Sequence, residues 1–145
     1  MGGYMSSSFR DLRVWQESMK RVFAVYRDTK GFPKDELYGL VRQMRRAAVS
    51  IPSNIAEGKG MRTDPEFARF LFHARGSLME LQTHVLIAKE LRYLQEPAAD
   101  ALMAQCEAVG RALAGLINSM TGQAAHEGQR PTTKDQRLRP RCLND

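Results

Sequence analysis

The chain has 145 residues, 22 of them Lys or Arg and 16 Asp or Glu, for a formal net charge of +6. With 43% hydrophobic and 26% charged residues it has the composition of one folded domain, which excludes a disordered polymer. No apolar run approaches the roughly 18 residues of a membrane span, no charged-then-apolar leader opens the chain, and two cysteines cannot build a disulfide scaffold, so a cytoplasmic protein is expected.

Residues 1–8, MGGYMSSS, show no periodicity and predict a disordered lead. Gly2 and Ser6 fit the M-G-x-x-x-[ST] acylation pattern, which Gly/Ser leaders match by composition alone. Leu12, Trp15, Met19, Val22 and Tyr26 then recur at steps of three and four, the stripe of a first helix. Gly31 and Pro33 break it. A second helix places Leu37, Leu40, Met44, Ala47, Ala48, Ile51 and Ile55 on one face, with Gly58 as its C-cap. Pro52 inside it lacks the N–H that would bond the Ala48 carbonyl, so a kink or local unwinding is expected. Ser50, Ser53 and Asn54 can satisfy backbone groups freed there, or Asn54 can face a ligand.

Thr63-Asp64-Pro65 opens a third helix, a capping residue followed by a proline where the missing N–H costs nothing. Its core face carries Phe67, Phe70, Leu71, Ala74, Leu78, Leu81, Val85 and Ala88. Pro97 restarts the chain, and Leu102, Cys106, Val109, Leu113, Leu116 and Met120 form the fourth stripe. Residues 121–145 have too few large aliphatics to offset the entropy of ordering, which predicts a mobile basic tail. Helices of about 20 to 30 residues with short connections predict an all-α fold, an antiparallel up-down-up-down four-helix bundle over residues 9–120.

The simple bundle leaves one apolar set over. Phe72, Met79, Leu86 and Tyr93 repeat by sevens, about 120° around the third helix from its core face. Val14 and Val25 form a smaller patch off the main stripe of the first helix. A wide core could wrap that far. A long apolar seam is rarely left in water, however, so these residues predict a homo-oligomer interface.

The cationic excess is uneven. Arg42, Arg45 and Arg46 lie within one turn, and with Lys59 and Arg62 they face Glu57 as the only acid in residues 40–62. The first helix adds Arg13, Lys20 and Arg21, whereas the fourth has Arg111 against Asp100 and Glu107. Arginine forks bind phosphate bidentately, and an oligomer repeats each patch. The competing use of such charges is ordinary ion pairing, Glu17 with Arg21 or Arg45 or Arg46 with an acid on a neighbouring helix. Nucleic acid, RNA before DNA, is the predicted partner, held by sequence-independent phosphate contacts. No zinc finger, recognition-helix motif or aromatic RNA-binding signature suggests base readout.

Catalytic signals are thin. His73, Ser77, Glu80 and His84 share a face of the third helix, but the two histidines are about 16 Å apart along it and cannot meet at one ion. Pairing of Glu80 with an arginine of the second helix is the simpler use. No phosphate-cradling glycine loop, nucleophile elbow or zinc motif occurs, so no enzyme, metal or cofactor is expected. Cys106 falls on a core stripe as a small hydrophobe, and Cys142 has no positioned base.

The stretch RRAAVSIPSNIAEGKG, residues 45–60, closely resembles the signature of the bacterial four helix bundle protein family. That family includes proteins encoded by intervening sequences within large-subunit ribosomal RNA genes and the accessory variability protein of diversity-generating retroelements. FRDLRVWQ (9–16), FARFLFHARGSLMEL (67–81) and GRALAGLINSM (110–120) extend the resemblance across residues 9–120. It implies an antiparallel four-helix bundle assembled as a homopentameric ring with a basic surface. For the retroelement members it implies binding to nucleic acid and to a reverse transcriptase, and it implies no catalysis. The alternative to nucleic-acid binding is a protein-interaction scaffold whose ring presents a groove or pore, for which Phe72 and Met79 would matter more than the arginines.

Overall fold

A computed structural model describes residues 7–122. They form four helices and no strand: α1 (Arg13–Thr29), α2 (Leu40–Lys59), α3 (Asp64–Glu90) and α4 (Glu96–Thr121). Each helix packs on the next in chain order and α1 closes against α4, an arrangement consistent with a four-helix bundle. Most of the expected lead and tail, with Gly2, Ser6 and Cys142, lies outside the described residues.

The helix ends follow from local chemistry. Ser8 belongs to the fold rather than to the lead: its hydroxyl accepts from the Arg10 N–H, while its own N–H donates to Asp11 at 3.1 Å. Thr63 caps α3 by accepting from the Glu66 N–H, as its sequence context predicts. The second helix starts three residues later than the apolar pattern suggested. Lys34–Glu36 form a single 3-10 turn, and the Glu36 carboxylate accepts the Leu40 N–H at 3.0 Å, which fixes the start of α2. Leu37 therefore leaves the core face and is exposed. α4 ends at Gly122, whose φ of 70° is the left-handed cap conformation.

On α2, α3 and α4 the buried faces are close to those the periodicity predicts, with Met44, Ile51, Ile55, Leu71, Leu78, Leu81 and Leu113 at their centre. Cys106 is buried among them, and burial pushes its thiol up to about 11. On α1 the core face is rotated from the expected stripe. Val14, Ser18, Val22, Val25 and Thr29 point inward, whereas Trp15 and Met19 are half-buried and Tyr26 is exposed. The cause is self-satisfaction of two hydroxyls. Ser18 donates to the Trp15 carbonyl at 2.8 Å and Thr29 to the Val25 carbonyl at 2.7 Å, so both enter the core without an unpaired polar atom. Val14 and Val25, 6% and 0% exposed, belong to the core of one chain and cannot form an interface between chains.

Tyr93 is half-buried and engaged within the chain. It follows the end of α3, its ring 5.5 Å from that of Phe32 and its hydroxyl donating to Glu36. Phe72, Met79 and Leu86 do remain in water, at 42, 49 and 51% exposure.

Pro52 does not unwind α2, which is helical without interruption from Leu40 to Lys59. Asn54 donates from its amide to the Ser50 carbonyl at 2.8 Å and Ser53 from its hydroxyl to the Val49 carbonyl at 2.8 Å. The side chains around the proline thus bond to the helix itself, and Asn54 is engaged there rather than turned to a ligand. Gly58 is not the C-cap; the helix runs on past it to Gly60. It is buried, and a Cβ there would lie 2.7 Å from the ring of Phe67 and 2.8 Å from Cβ of Phe70. Gly58 is a point of close approach between α2 and α3.

Alanine at Gly58 and at Gly115 should therefore act in opposite senses. Gly58→Ala overfills the α2–α3 contact and should cost about 1–3 kcal/mol. A Cβ at Gly115 meets nothing within 4 Å, so there the same change should stabilise by roughly 0.5–1 kcal/mol through helix propensity. Urea unfolding of the two variants checks both signs.

Candidate nucleic-acid interface

The outer face of α2 carries the arginine cluster, because its inner face is committed to Val41, Met44, Ala48, Ile51 and Ile55. Arg42, Arg45 and Arg46 line a groove of about 680 Å³. Tyr26 from α1 and Leu37 and Tyr38 from the turn before α2 line it with them. Among the described residues no carboxylate takes part in the lining.

The three guanidinium groups are held differently. Arg45 is half-buried: its Nε donates to Thr29 Oγ1 at 3.1 Å and its guanidinium lies 4.5 Å from the ring centroid of Tyr26. A cation stacked on a ring and tied at one nitrogen is fixed in orientation while its other N–H groups are left for a ligand. Arg42 is exposed, and among the described residues neither it nor Arg45 pairs with an acid. Arg46 meets Glu80 of α3 at 3.3 Å, the helix-to-helix pairing expected of Glu80. Both side chains are well solvated, so this bond contributes at most about 1 kcal/mol and yields readily to a phosphate.

Other residues of the expected cationic patch lie elsewhere. Arg21 is 9% exposed and buried in the protomer, its Nε without a hydrogen-bond partner, so it is not a surface contact. Glu17 pairs not with Arg21 but with Lys20, at 3.0 Å, and this cation holds its carboxyl below the usual range. Arg13 lines a crevice between α1 and α4 with Glu17 and Ala108, away from the arginine groove. Lys59 and Arg62 sit at the far end of α2 and in the turn after it. The structure thus brings together Arg42, Arg45 and Arg46 and leaves the remainder dispersed.

A family model described as 23S rRNA-intervening sequence protein matches residues 10–115. The chain belongs to that family. The matched span takes in α1, α2 and α3 whole and most of α4, and so includes every residue of the arginine groove. No curated protein matches the chain.

In this intervening-sequence family member the face of α3 once considered for metal serves packing and pairing. Ser77 shares a hydrogen bond of 2.8 Å with Ser50 of α2, and His73 is exposed. His84 is buried, its Nε2 3.9 Å from Glu80 and its Nδ1 without a partner. Among the described residues no three of His, Cys, Asp and Glu come together as a metal site. No described helix is long and apolar enough to cross a membrane.

Burial holds the His84 imidazole below the ordinary histidine pKa; Glu80 opposes this and Arg46 adds to it. The unfolded chain then binds a proton that the folded chain refuses. This stability is full above the unfolded value of about 6.5 and is lost as pH falls below it. Unfolding free energy should fall between about pH 7 and pH 5, and His84→Leu should flatten that part of the profile in urea titrations at each pH.

Proposed function

We propose that this chain is a non-catalytic, homo-oligomeric protein that binds nucleic acid, RNA in the first place, through sequence-independent phosphate contacts. The observation that carries this is the groove with three guanidinium groups and no carboxylate in its lining. The family description names a ribosomal RNA context, which agrees with it. Arg42 and Arg46 supply exposed charge, and Arg45 supplies a charge already held in place. Polyanion binding by a modest patch gains from repetition, and self-association through Phe72, Met79 and Leu86 would provide it, in the pentameric ring that the sequence resemblance implies. Within each chain the helices alternate in direction. The register supports this, since Arg46–Glu80, Ser50–Ser77 and Gly58–Phe67 ascend α2 while descending α3.

Arg42→Glu should weaken binding of a labelled RNA about tenfold or more, and should lower the slope of log affinity against log salt by about one. Arg13→Glu, on the α4 side of α1, should change affinity far less. Fluorescence anisotropy from about 50 to 500 mM salt measures both, with circular dichroism as the folding control. Affinity that is insensitive to salt would overturn the phosphate mechanism.

The same exposed apolar row supports a second reading, a scaffold docking a protein partner such as a reverse transcriptase, with no nucleic-acid binding of its own. Met79→Asp with Leu86→Asp should shift the light-scattering mass from oligomer to monomer while leaving helicity intact. An unaltered mass, or a wild-type chain already monomeric at micromolar concentration, would assign the row to such a partner instead.

A further inference from the structure

We propose that the arginine groove receives an unpaired base, so that the ligand class is single-stranded nucleic acid rather than duplex; this rests on the nucleic-acid function proposed above. The observation is Tyr38. It is 82% exposed, the most exposed large apolar side chain among the described residues, and it lines the same groove as the three arginines. A tyrosine ring presented to water at a site of positive charge is a stacking platform without an occupant.

The backbone that carries it is held by hydrogen bonds on its C-terminal side. Tyr38 lies between the 3-10 turn and α2, where the Gly39 N–H bonds the Glu36 carbonyl at 3.1 Å. The Glu36 side chain in turn binds the Leu40 N–H and the Tyr93 hydroxyl. Tyr26, in the same lining, is already covered by Arg45, and the planar guanidinium there offers a second flat surface. Val41 and Val49 add apolar wall, and the volume of about 680 Å³ lies within the range of small-ligand sites. A nucleotide matches both halves of this lining: its base has a π-face for the aromatic side, and its phosphate has charge for Arg42 and Arg46. A duplex keeps its bases stacked on one another and can offer the groove phosphates only. The acid-free lining also disfavours a second copy of the same groove, which would set guanidinium against guanidinium.

The test is anisotropy of a labelled oligouridylate of about 20 nucleotides against a duplex of equal length at matched salt, with wild type, Tyr38→Ala, Tyr38→Phe and Arg42→Glu. The single strand should bind about tenfold tighter than the duplex. Tyr38→Ala should remove that margin without changing duplex binding, and Tyr38→Phe should retain it. Equal binding of both forms with a neutral Tyr38→Ala, while Arg42→Glu weakens both, would overturn the stacking site and leave the phosphate function standing. Failure of wild type to bind either probe would overturn both. A light-scattering mass altered by Tyr38→Ala, with no strand preference, would make the groove a contact between copies and overturn the proposal as well.

Discussion

A glycine at position 58, with the ring of Phe67 and the Cβ of Phe70 where a side chain would be, lets α2 and α3 approach closely at their junction. Further along the seam the contact is tied by the Ser50–Ser77 hydrogen bond. With one side of α2 pressed so closely on α3, the 100° step of the helix decides where everything else on it goes. Arg42, Arg45 and Arg46 follow the solvent side and reach toward α1 on one flank and Glu80 on the other. The cationic site is thus a consequence of how α2 is packed, in which Gly58, outside the site, takes part.

Much of this fold was legible because three helices carry their buried face as an unbroken apolar stripe. The first helix was misread by nearly a quarter turn for a definable reason. Hydropathy counts Ser18 and Thr29 as polar, yet each spends its hydroxyl on a carbonyl one turn back and then behaves as a small buried group. The true face runs through them, which brings Val14 and Val25 inward and leaves Trp15, Met19 and Tyr26 along the cleft with α2. Pro52 was legible as a break in hydrogen bonding but not in its outcome, since the helix runs on through it and the flanking side chains bond back to the preceding turn.

The candidate site was half legible. Three arginines within one turn are visible in any reading of charge, and their phosphate chemistry follows from the guanidinium alone. Their aromatic neighbours were not, because Tyr26 was assigned to the core and Tyr38 belongs to no stripe. Only the fold places Tyr26 from one helix and Tyr38 from a turn in one groove with the same arginines. Arg45 shows why the distinction matters. Its stacking on Tyr26 and its bond to Thr29 make it part of the α1–α2 junction, so its charge and its packing cannot be removed separately.

The surfaces left for partners are separate, and this separation is what makes the two proposed roles compatible. Ser77 and Glu80 occupy the flank of α3 that faces α2, where the arginines begin. Met79 lies on the other flank, in a crevice with Glu107 and Arg111 of α4, and Phe72 and Leu86 lie about two turns either way along the same row. A contact through that row covers α3 and α4 and leaves the α1–α2 groove uncovered. Self-association through that row would add grooves. Each added copy contributes cations whose attraction for a strand is weak alone and cumulative along it, which is the condition under which an exposed arginine such as Arg42 is worth more in an assembly than in a single chain.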